Sequence, residues 1–418
     1  MSRKTKELQE IPWYFLVVTT QKRERDMPFT PTTFAQLVQP IDRRRFDAIV
    51  ERHDGDAYVK SFLSWDHLMT LIYAQLSGLD SLRALAAGWK AHANCLYHLG
   101  CEDGCEELPR STLSDANERR PVEVFAEVFD MIVKCIDRTT RCGAEEFIRL
   151  IDSTPIPLGK LFKWAKWNGR IRGMKAHIVY DPKGDAPQVL AITDANVNDA
   201  QIGRTIALEP SRTYVFDKGY CHYGWWTKIH QIGAFFVTRP KDNMGLRVTK
   251  VRALEETAGD GFTVLADEEV KLSSKGDSKL PIPLRRIRVL RHEGGKKLSI
   301  LTNDITRSAV EIAKLYKLRW QIELLFRWLK QHLKIRKFLG RNENAIKLQI
   351  FAAMIAYALL RLAALTHKVK IDILRFTDLV REFLFARRRI GAIQVPPPVH
   401  PNGKRDRSCP NQLAFVYA

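Results

Sequence analysis

Five short apolar runs with β-strand character follow one another in the middle of the chain. They cover residues 147–151, 175–180, 189–192, 213–216 and 234–237. Runs rich in Val, Ile, Phe and Tyr between turn residues are typical of strands, and helical stretches at 200–208 and 223–230 alternate with them. The middle of the chain is therefore predicted to be a mixed α/β core.

Helical patterns precede this core. Ser64 is a predicted N-cap for a helix closed by Gly78, and Ser81 opens a second helix. A short polar helix over residues 111–120 comes before Pro121, which starts a longer one. The region is predicted to be a small DNA-binding helical domain.

Three side chains of the short polar helix are predicted to contact DNA: Asn117, Arg119 and Arg120. A recognition helix reads bases with side chains of these types. A solvent-exposed face without a ligand is the alternative interpretation of the same residues.

A second set of short alternating runs, between residues 241 and 298, lacks a helical pattern and predicts a β-rich insertion. After it the chain turns helical again through about Phe385. The predicted organisation is an N-terminal extension at 1–27, a helical domain at 28–142, an α/β core at 143–240 and 299–345, the insertion at 241–298, C-terminal helices at 346–390, and a tail at 391–418.

The charge of the chain favours a polyanionic partner. Its 418 residues include 67 Lys and Arg against 47 Asp and Glu, a formal charge of +20. Nucleic acid is the first candidate and a membrane surface the second. The longest apolar run, residues 350–360, is shorter than the roughly 20 residues that a bilayer requires and predicts a buried core helix. The expected location is the cytoplasm, where the surplus of positive charge would bring the chain to nucleic acid.

Cysteine usage suits a reducing compartment, because the seven cysteines are an odd number scattered along a large chain. They are Cys95, Cys101, Cys105, Cys135, Cys142, Cys221 and Cys409. Cys95, His98, Cys101 and Cys105 cluster, but they lack the paired CxxC spacing of common zinc sites. Ordinary buried or loop thiols are the favoured interpretation.

Two aspartates follow strand-like runs. Asp152 ends the first run and Asp217 ends the fourth, and the ends of buried strands are favoured places for ligand sites. A turn or cap role would explain either residue without a function. Acids in the loops between the runs compete with Asp217 for the assignment: Asp181, Asp194 and Asp199.

Tyr316, Arg319, Glu323 and Lys330 lie at helical spacing in the segment 316–330. At about 100° of rotation per residue, they fall within about 60° of one another on the helix surface. An apolar stripe beside them would bind the helix to a core: Leu315, Ile322, Phe326, Leu329 and Leu333. A surface helix with a weak Arg-Glu pair is the alternative interpretation.

With Asp152 and Asp217, Glu323 supplies three hard oxygen ligands, which suit Mg²⁺ or Mn²⁺. Two such ions can activate a water or a 3′-hydroxyl and stabilise the leaving oxygen at a phosphodiester. A basic protein with that site would cut or join nucleic acid.

The order of these motifs resembles the DDE transposases of bacterial insertion sequences. Asp152-Ser-Thr, then Asp217-Lys-Gly-Tyr, then Tyr-x2-Arg-x3-Glu-x6-Lys beginning at Tyr316 fill every position of that family's signature. The similarity extends to Arg239 and Lys241 after the fifth run, and it covers roughly residues 28–385.

The resemblance implies a ribonuclease-H-like catalytic core, interrupted by a β-rich insertion between Asp217 and Glu323. It also implies transposition by a homodimer that binds terminal inverted repeats and target DNA. Tyr316, Arg319 and Lys330 would contact phosphates of the element's ends, and Arg239 and Lys241 would add DNA contacts.

One departure from the family concerns tryptophan. Some relatives stack a flipped base on a tryptophan of the insertion, but residues 241–300 contain none. Phe262, Trp225 or Trp226 could substitute, although core positions are the favoured interpretation of all three. A DNA-binding relative without activity and a two-metal nuclease without strand transfer are the alternatives in other classes.

Overall fold

The computed structural model describes residues 30–394 except for 102–104, 106, 141–146, 255–256, 274–279 and 333–337. The predicted extension at 1–27, most of the predicted tail, Leu333, Cys142 and Cys409 lie outside the described residues.

Helices form the described part of the chain before residue 141. They are α1 Thr33–Val38, α2 Arg43–Arg52, α3 Ser64–Ser77, α4 Leu82–Ala91, α5 Ala93–Leu96, α6 Arg110–Arg119 and α7 Val122–Thr140. The predicted helices are confirmed, with one shift: Leu63 is the N-cap of α3, and Ser64 is its first residue. Gly78 closes α3 with a left-handed φ of 65°, a conformation that glycine adopts without strain.

A single mixed sheet follows. Its strands are β1 Ile148–Pro157, β2 Gly173–Asp181, β3 Ala186–Asp194, β4 Thr213–Phe216, β5 Phe235–Thr238, β6 Leu246–Val251, β7 Ala258–Gly259, β8 Phe262–Leu272, β9 Leu284–Arg291 and β10 Lys297–Thr302. Among the described residues between these strands, two α-helices are present: α8 Asp199–Gly203 and α9 Tyr223–Gln231. The mixed α/β prediction is confirmed. The helix predicted at 200–208 was too long, since α8 ends at Gly203, which packs against Tyr220 and Trp225.

The strand order of the sheet is β3-β2-β1-β4-β5-β10-β9-β8-β6, with β7 paired to β8. Strands β1, β4 and β5 are parallel, while β2 and β3 join β1 through antiparallel pairs. The predicted β-rich insertion continues the core sheet, because β10 pairs with β5 on one side and β9 on the other. Two runs predicted at 262–265 and 269–272 are one strand, β8, whose register shifts at Val264.

Helices return after the sheet. They are α10 Ala309–Leu318, α11 Trp320–His332, α12 Glu343–Thr366 and α13 Ile373–Glu382. Among the described residues, α12 is long and apolar enough to cross a membrane, yet 89% of its apolar window is buried inside the protein. The prediction of a buried core helix around residues 350–360 is therefore confirmed. The helix packs against α3 and α7, so the N-terminal and C-terminal helices share one core.

A buried histidine in α3 makes the stability of this helical core dependent on pH. Burial lowers the pKa of His67 to about 4, from 6.5 for an unperturbed imidazole, against the opposing effect of its hydrogen bond to Asn117. The unfolded chain therefore binds a proton that the folded chain excludes, and stability falls as the pH drops from 6.5 towards 4.

We expect His67→Gln, which cannot titrate, to remove about 3 kcal/mol of this pH dependence of the unfolding free energy. Urea unfolding at several pH values between 4 and 7 measures it. Parallel curves for the variant and the wild type would contradict the prediction.

Candidate active site

The parallel pairing of β1 and β4 brings the two aspartates together. Ile151 pairs with Phe216, and Asp152 and Asp217 each follow one residue later. Asp217 lies at the end of β4, as predicted. The end predicted for the first strand is wrong: β1 runs on to Pro157, because β2 continues to pair with it beyond Ile151. Asp152 therefore lies in the middle of a strand, at the point where β4 leaves it.

The signature segment forms two helices, whereas one was predicted. Helix α10 ends at Leu318 and α11 begins at Trp320, with Arg319 between them in right-handed helical geometry. Despite this break, two members of the polar stripe reach the aspartates: Tyr316 contacts Asp217 and Arg319 contacts Asp152. The described members of the apolar stripe are buried: Leu315, Ile322, Phe326 and Leu329.

Arg319 bridges two of the three carboxylates. Its Nη1 donates to Oδ2 of Asp152 at 2.8 Å, and its Nη2 donates to Oε1 of Glu323 at 2.6 Å. The Nε of Arg319 is buried and has no hydrogen-bond partner among the described residues. One guanidinium thus offsets the charge of two acids and retains an unused donor.

Asp217 has a cation of its own. The Nε and Nη2 of Arg239 lie 3.0 and 2.9 Å from Oδ1 of Asp217, and the hydroxyl of Tyr316 donates to the same oxygen at 3.4 Å. Sequence reasoning assigned Arg239 only to DNA. No spacing pattern could have paired it with Asp217, since the two residues follow different strands.

The environment separates the pKa values of the two aspartates. Burial raises the pKa of Asp152 to about 6, and the charges of Asp217 and Glu323 add to the effect, while Arg319 opposes it. Burial also acts to raise the pKa of Asp217, but the backbone N–H of Lys218 and the charge of Arg239 outweigh it, so this pKa is lowered. Strand pairing places Asp152 beside Asp217, and the Arg319 bridge places Glu323 beside Asp152.

The donor set fits a divalent cation. All three candidate ligands are carboxylates, which Mg²⁺ and Mn²⁺ prefer, and they come from β1, the end of β4 and α11. A charged guanidinium already lies between two of them. The site is therefore arranged around positive charge.

The competing acids are held by other cations. Asp181 pairs with Arg149 at 2.9 Å, and Asp194 pairs with Lys166 at 2.7 Å.

Asp199 lies nearest to the carboxylates of the site, because its Oδ1 accepts a hydrogen bond from Ser153 Oγ at 3.1 Å. The same oxygen lies 3.0 Å from Nζ of Lys175. It is a neighbour of the site whose charge is already offset.

The predicted DNA contacts divide into exposed and buried residues. Lys330, Lys241 and Arg119 are exposed. Asn117 and Arg120 are only 2% and 5% exposed, so assigning them to direct DNA contact is wrong.

The partners of these two side chains explain their burial. Oδ1 of Asn117 accepts a hydrogen bond from His67 at 3.0 Å. Arg120 donates to Ser64 Oγ at 2.8 Å and also pairs with Asp56. Both residues hold α6 to α3.

The tryptophans considered for base stacking are core residues. Trp225 and Trp226 are 1% and 0% exposed, and Phe262 is 5% exposed. The core interpretation of all three is confirmed.

Comparisons with known proteins show the family of this chain. A family model described as the transposase DDE domain matches residues 144–359, and a domain of unknown function (DUF4372) matches residues 30–102. The transposase y4zB of Sinorhizobium fredii is 64% identical over 73% of this chain and 85% of its own length. A transposase for insertion sequence element IS5377 of Geobacillus stearothermophilus is 30% identical over 66% of this chain and 74% of its own.

A solved piggyBac transposase synaptic complex with hairpin DNA aligns with 88% of this chain and 81% of that chain. The sequence identity is 10% and the TM-score 0.42, too low to locate a site. The chain belongs to the DDE transposases. The prediction of a bacterial insertion-sequence transposase, an enzyme of DNA transposition in a family that depends on divalent metal, is confirmed.

Proposed function

We propose that this transposase binds the terminal inverted repeats of its own insertion sequence, cuts the DNA at the ends and joins them to target DNA. Asp152, Asp217 and Glu323 are the proposed ligands of two Mg²⁺ or Mn²⁺ ions. When bound, the ions activate the attacking water or 3′-hydroxyl and stabilise the leaving oxygen. The bridge that Arg319 forms between Asp152 and Glu323 is the observation that carries this proposal.

Arg319 changes partners in this mechanism. In the protein alone its guanidinium donates to two carboxylates, and binding of metal ions by these carboxylates would release it. A guanidinium fork then fits a DNA phosphate bidentately, and the unused Nε offers a further donor. Tyr316 and Lys330 are proposed to hold neighbouring phosphates, since Tyr316 borders Asp217 and Lys330 is exposed on α11.

Arg239, Lys241 and Arg119 remain proposed DNA contacts. Arg239 is half-buried beside Asp217, and the other two are exposed. The charge of +20 supports binding to DNA and association with the nucleoid in the cytoplasm. A homodimer is proposed for the complex with two element ends.

We further propose a ribonuclease-H-like catalytic core. Its support is the order β3-β2-β1-β4-β5, in which an antiparallel hairpin series adjoins three parallel strands. The proposed domains are those of the sequence with one change: the core ends at residue 342, because α12 begins at Glu343 and is continuous.

The test uses a labelled duplex carrying the inverted repeats that flank this gene, with Mg²⁺ and a target plasmid. Nicks at the repeat ends followed by joined products support a transposase. Nicks without joined products support the nuclease alternative. A specific shift of the duplex without any nick supports the inactive DNA-binding alternative.

Arg319→Ala is expected to weaken binding of the end duplex and to slow its cleavage by about 10 to 100-fold, since each lost hydrogen bond to a charged group is worth about 1.5–3 kcal/mol. Arg319→Lys is expected to bind and cleave the end duplex little better than Arg319→Ala does, because an ammonium cannot bridge two acceptors as a planar guanidinium does. Single-turnover cleavage and filter binding measure both effects. Arg375→Ala, an exposed arginine of α13, is the charge-matched control and should resemble the wild type.

A further inference from the structure

A second cluster of metal-ligating side chains lies among the N-terminal helices. A carboxylate oxygen of Asp66 and the Sγ atoms of Cys101 and Cys105 all lie within 4.8 Å of one another. We propose that these three side chains bind one Zn²⁺ ion, which ties the first turn of α3 to Cys101 and Cys105, two residues that precede α6 in the chain. This site is independent of the proposed catalytic function.

The spacing of the three atoms suits a tetrahedral ion. With zinc bonds of about 2.0–2.3 Å, the ligand atoms of such a site are about 3.3–3.8 Å apart. From a separation of at most 4.8 Å, the three atoms need to approach by about 1.0–1.5 Å at most, which side-chain rotations provide.

The chemistry of the donors differs from that of the catalytic carboxylates. Two thiolates with one carboxylate favour Zn²⁺, whereas three carboxylates favour Mg²⁺ or Mn²⁺. Each thiol must lose its proton to bind, so uptake of one Zn²⁺ releases two protons and a water molecule fills the fourth position.

The surroundings hold these ligands in place. Asp66 is 1% exposed, and one of its oxygens accepts the backbone N–H of Leu63 at 3.1 Å. The indole of Trp89 donates to the carbonyl of Cys105 at 3.1 Å, and Cys105 is 8% exposed. The bond to Asp66 orients a ligating carboxylate, as is typical of metal sites, and the bond to Cys105 fixes the backbone that carries its thiol.

The sequence spacing had grouped Cys101 and Cys105 with residues other than Asp66. It placed Cys95 and His98 with the two thiols, but in the described part of the chain neither belongs to the cluster. The carboxylate of Asp66 takes the third place, and it comes from a helix more than thirty positions upstream. Folding, rather than local spacing, assembles the proposed site.

Cobalt substitution of the full chain tests the proposal. The reduced protein, stripped with a chelator and titrated with Co²⁺, is expected to show a sulfur-to-cobalt charge-transfer band and the visible bands of four-coordinate Co²⁺. Zn²⁺ should abolish both, and Mg²⁺ should not. Carboxylates alone give no charge-transfer band of this kind, so the signal cannot come from Asp152, Asp217 and Glu323.

Variants assign the signal to residues. Cys101→Ser and Cys105→Ser are each expected to lose the band, and Asp66→Asn to weaken it. Cys135→Ser, on α7, is the matched control and should keep it, as should Glu323→Gln.

If a serine variant does not fold, the melting temperature of the wild type still tests the proposal. A chelator should lower the melting temperature of the reduced wild type, and Zn²⁺ but not Mg²⁺ should restore it. Absence of the cobalt–thiolate band in the reduced wild type would overturn the proposal. So would an undiminished band in Cys101→Ser, or a melting temperature that the chelator leaves unchanged.

Discussion

Glu323→Gln and Asp152→Asn are expected to bind the end duplex as the wild type does and to cleave it at least about 10³-fold more slowly, because loss of a metal ligand removes several kcal/mol of transition-state stabilisation. Each substitution preserves the size of the side chain and removes its charge. Binding survives because phosphate contacts come from cations elsewhere.

The control for these variants is Asp194→Asn. Asp194 was a competitor for the site, and its carboxylate pairs with Lys166 instead. We expect its cleavage rate to stay within about threefold of the wild type, since it removes only a partly exposed ion pair. Single-turnover cleavage with equal amounts of bound duplex compares the three variants. Normal cleavage by Asp152→Asn would show that the site is assigned to the wrong residues.

Arg285→Met is expected to lower the free energy of unfolding by about 3–5 kcal/mol, because it leaves buried Asp267 with only a longer ion pair, 3.7 Å from its Oδ2 to Nε of Arg252. The Nε and Nη2 of Arg285 donate to the two carboxylate oxygens of Asp267 at 2.7 and 2.6 Å, and both side chains are almost fully buried. Its Nη1 also donates to the carbonyl of Arg307 at 2.5 Å, just before α10 begins. Arg285 thus joins the insertion to the segment that leads into α10, the helix before Arg319.

Urea unfolding followed by tryptophan fluorescence measures this loss. Arg285→Met with Asp267→Leu is expected to regain at least about 2 kcal/mol, since it removes both buried charges. Arg291→Met is the matched control on β9: its pair with Glu293 is exposed and should contribute less than about 1 kcal/mol. Equal losses from Arg285→Met and Arg291→Met would contradict the prediction.

Much of the fold could be predicted because it depends on local patterns. Caps and apolar periodicity located α3 and α4, and apolar runs located the five core strands. The errors fall where partners in space decide an element's length. Strand β1 is longer than its apolar run because β2 pairs with it. Helix α8 is shorter than its predicted range and ends at Gly203, which lies close to the rings of Tyr220 and Trp225.

The sequence by itself determined the family and the stripe of Tyr316, Arg319 and Glu323, because side chains one helical turn apart share a face. Only the tertiary structure decided that Arg319 bridges Asp152, which lies 167 positions away, and Glu323. It alone also decided that Asn117 is buried and that the insertion extends the core sheet. The physical reason is that burial and ion pairing depend on which surfaces meet after folding, and local sequence does not encode these contacts between distant segments.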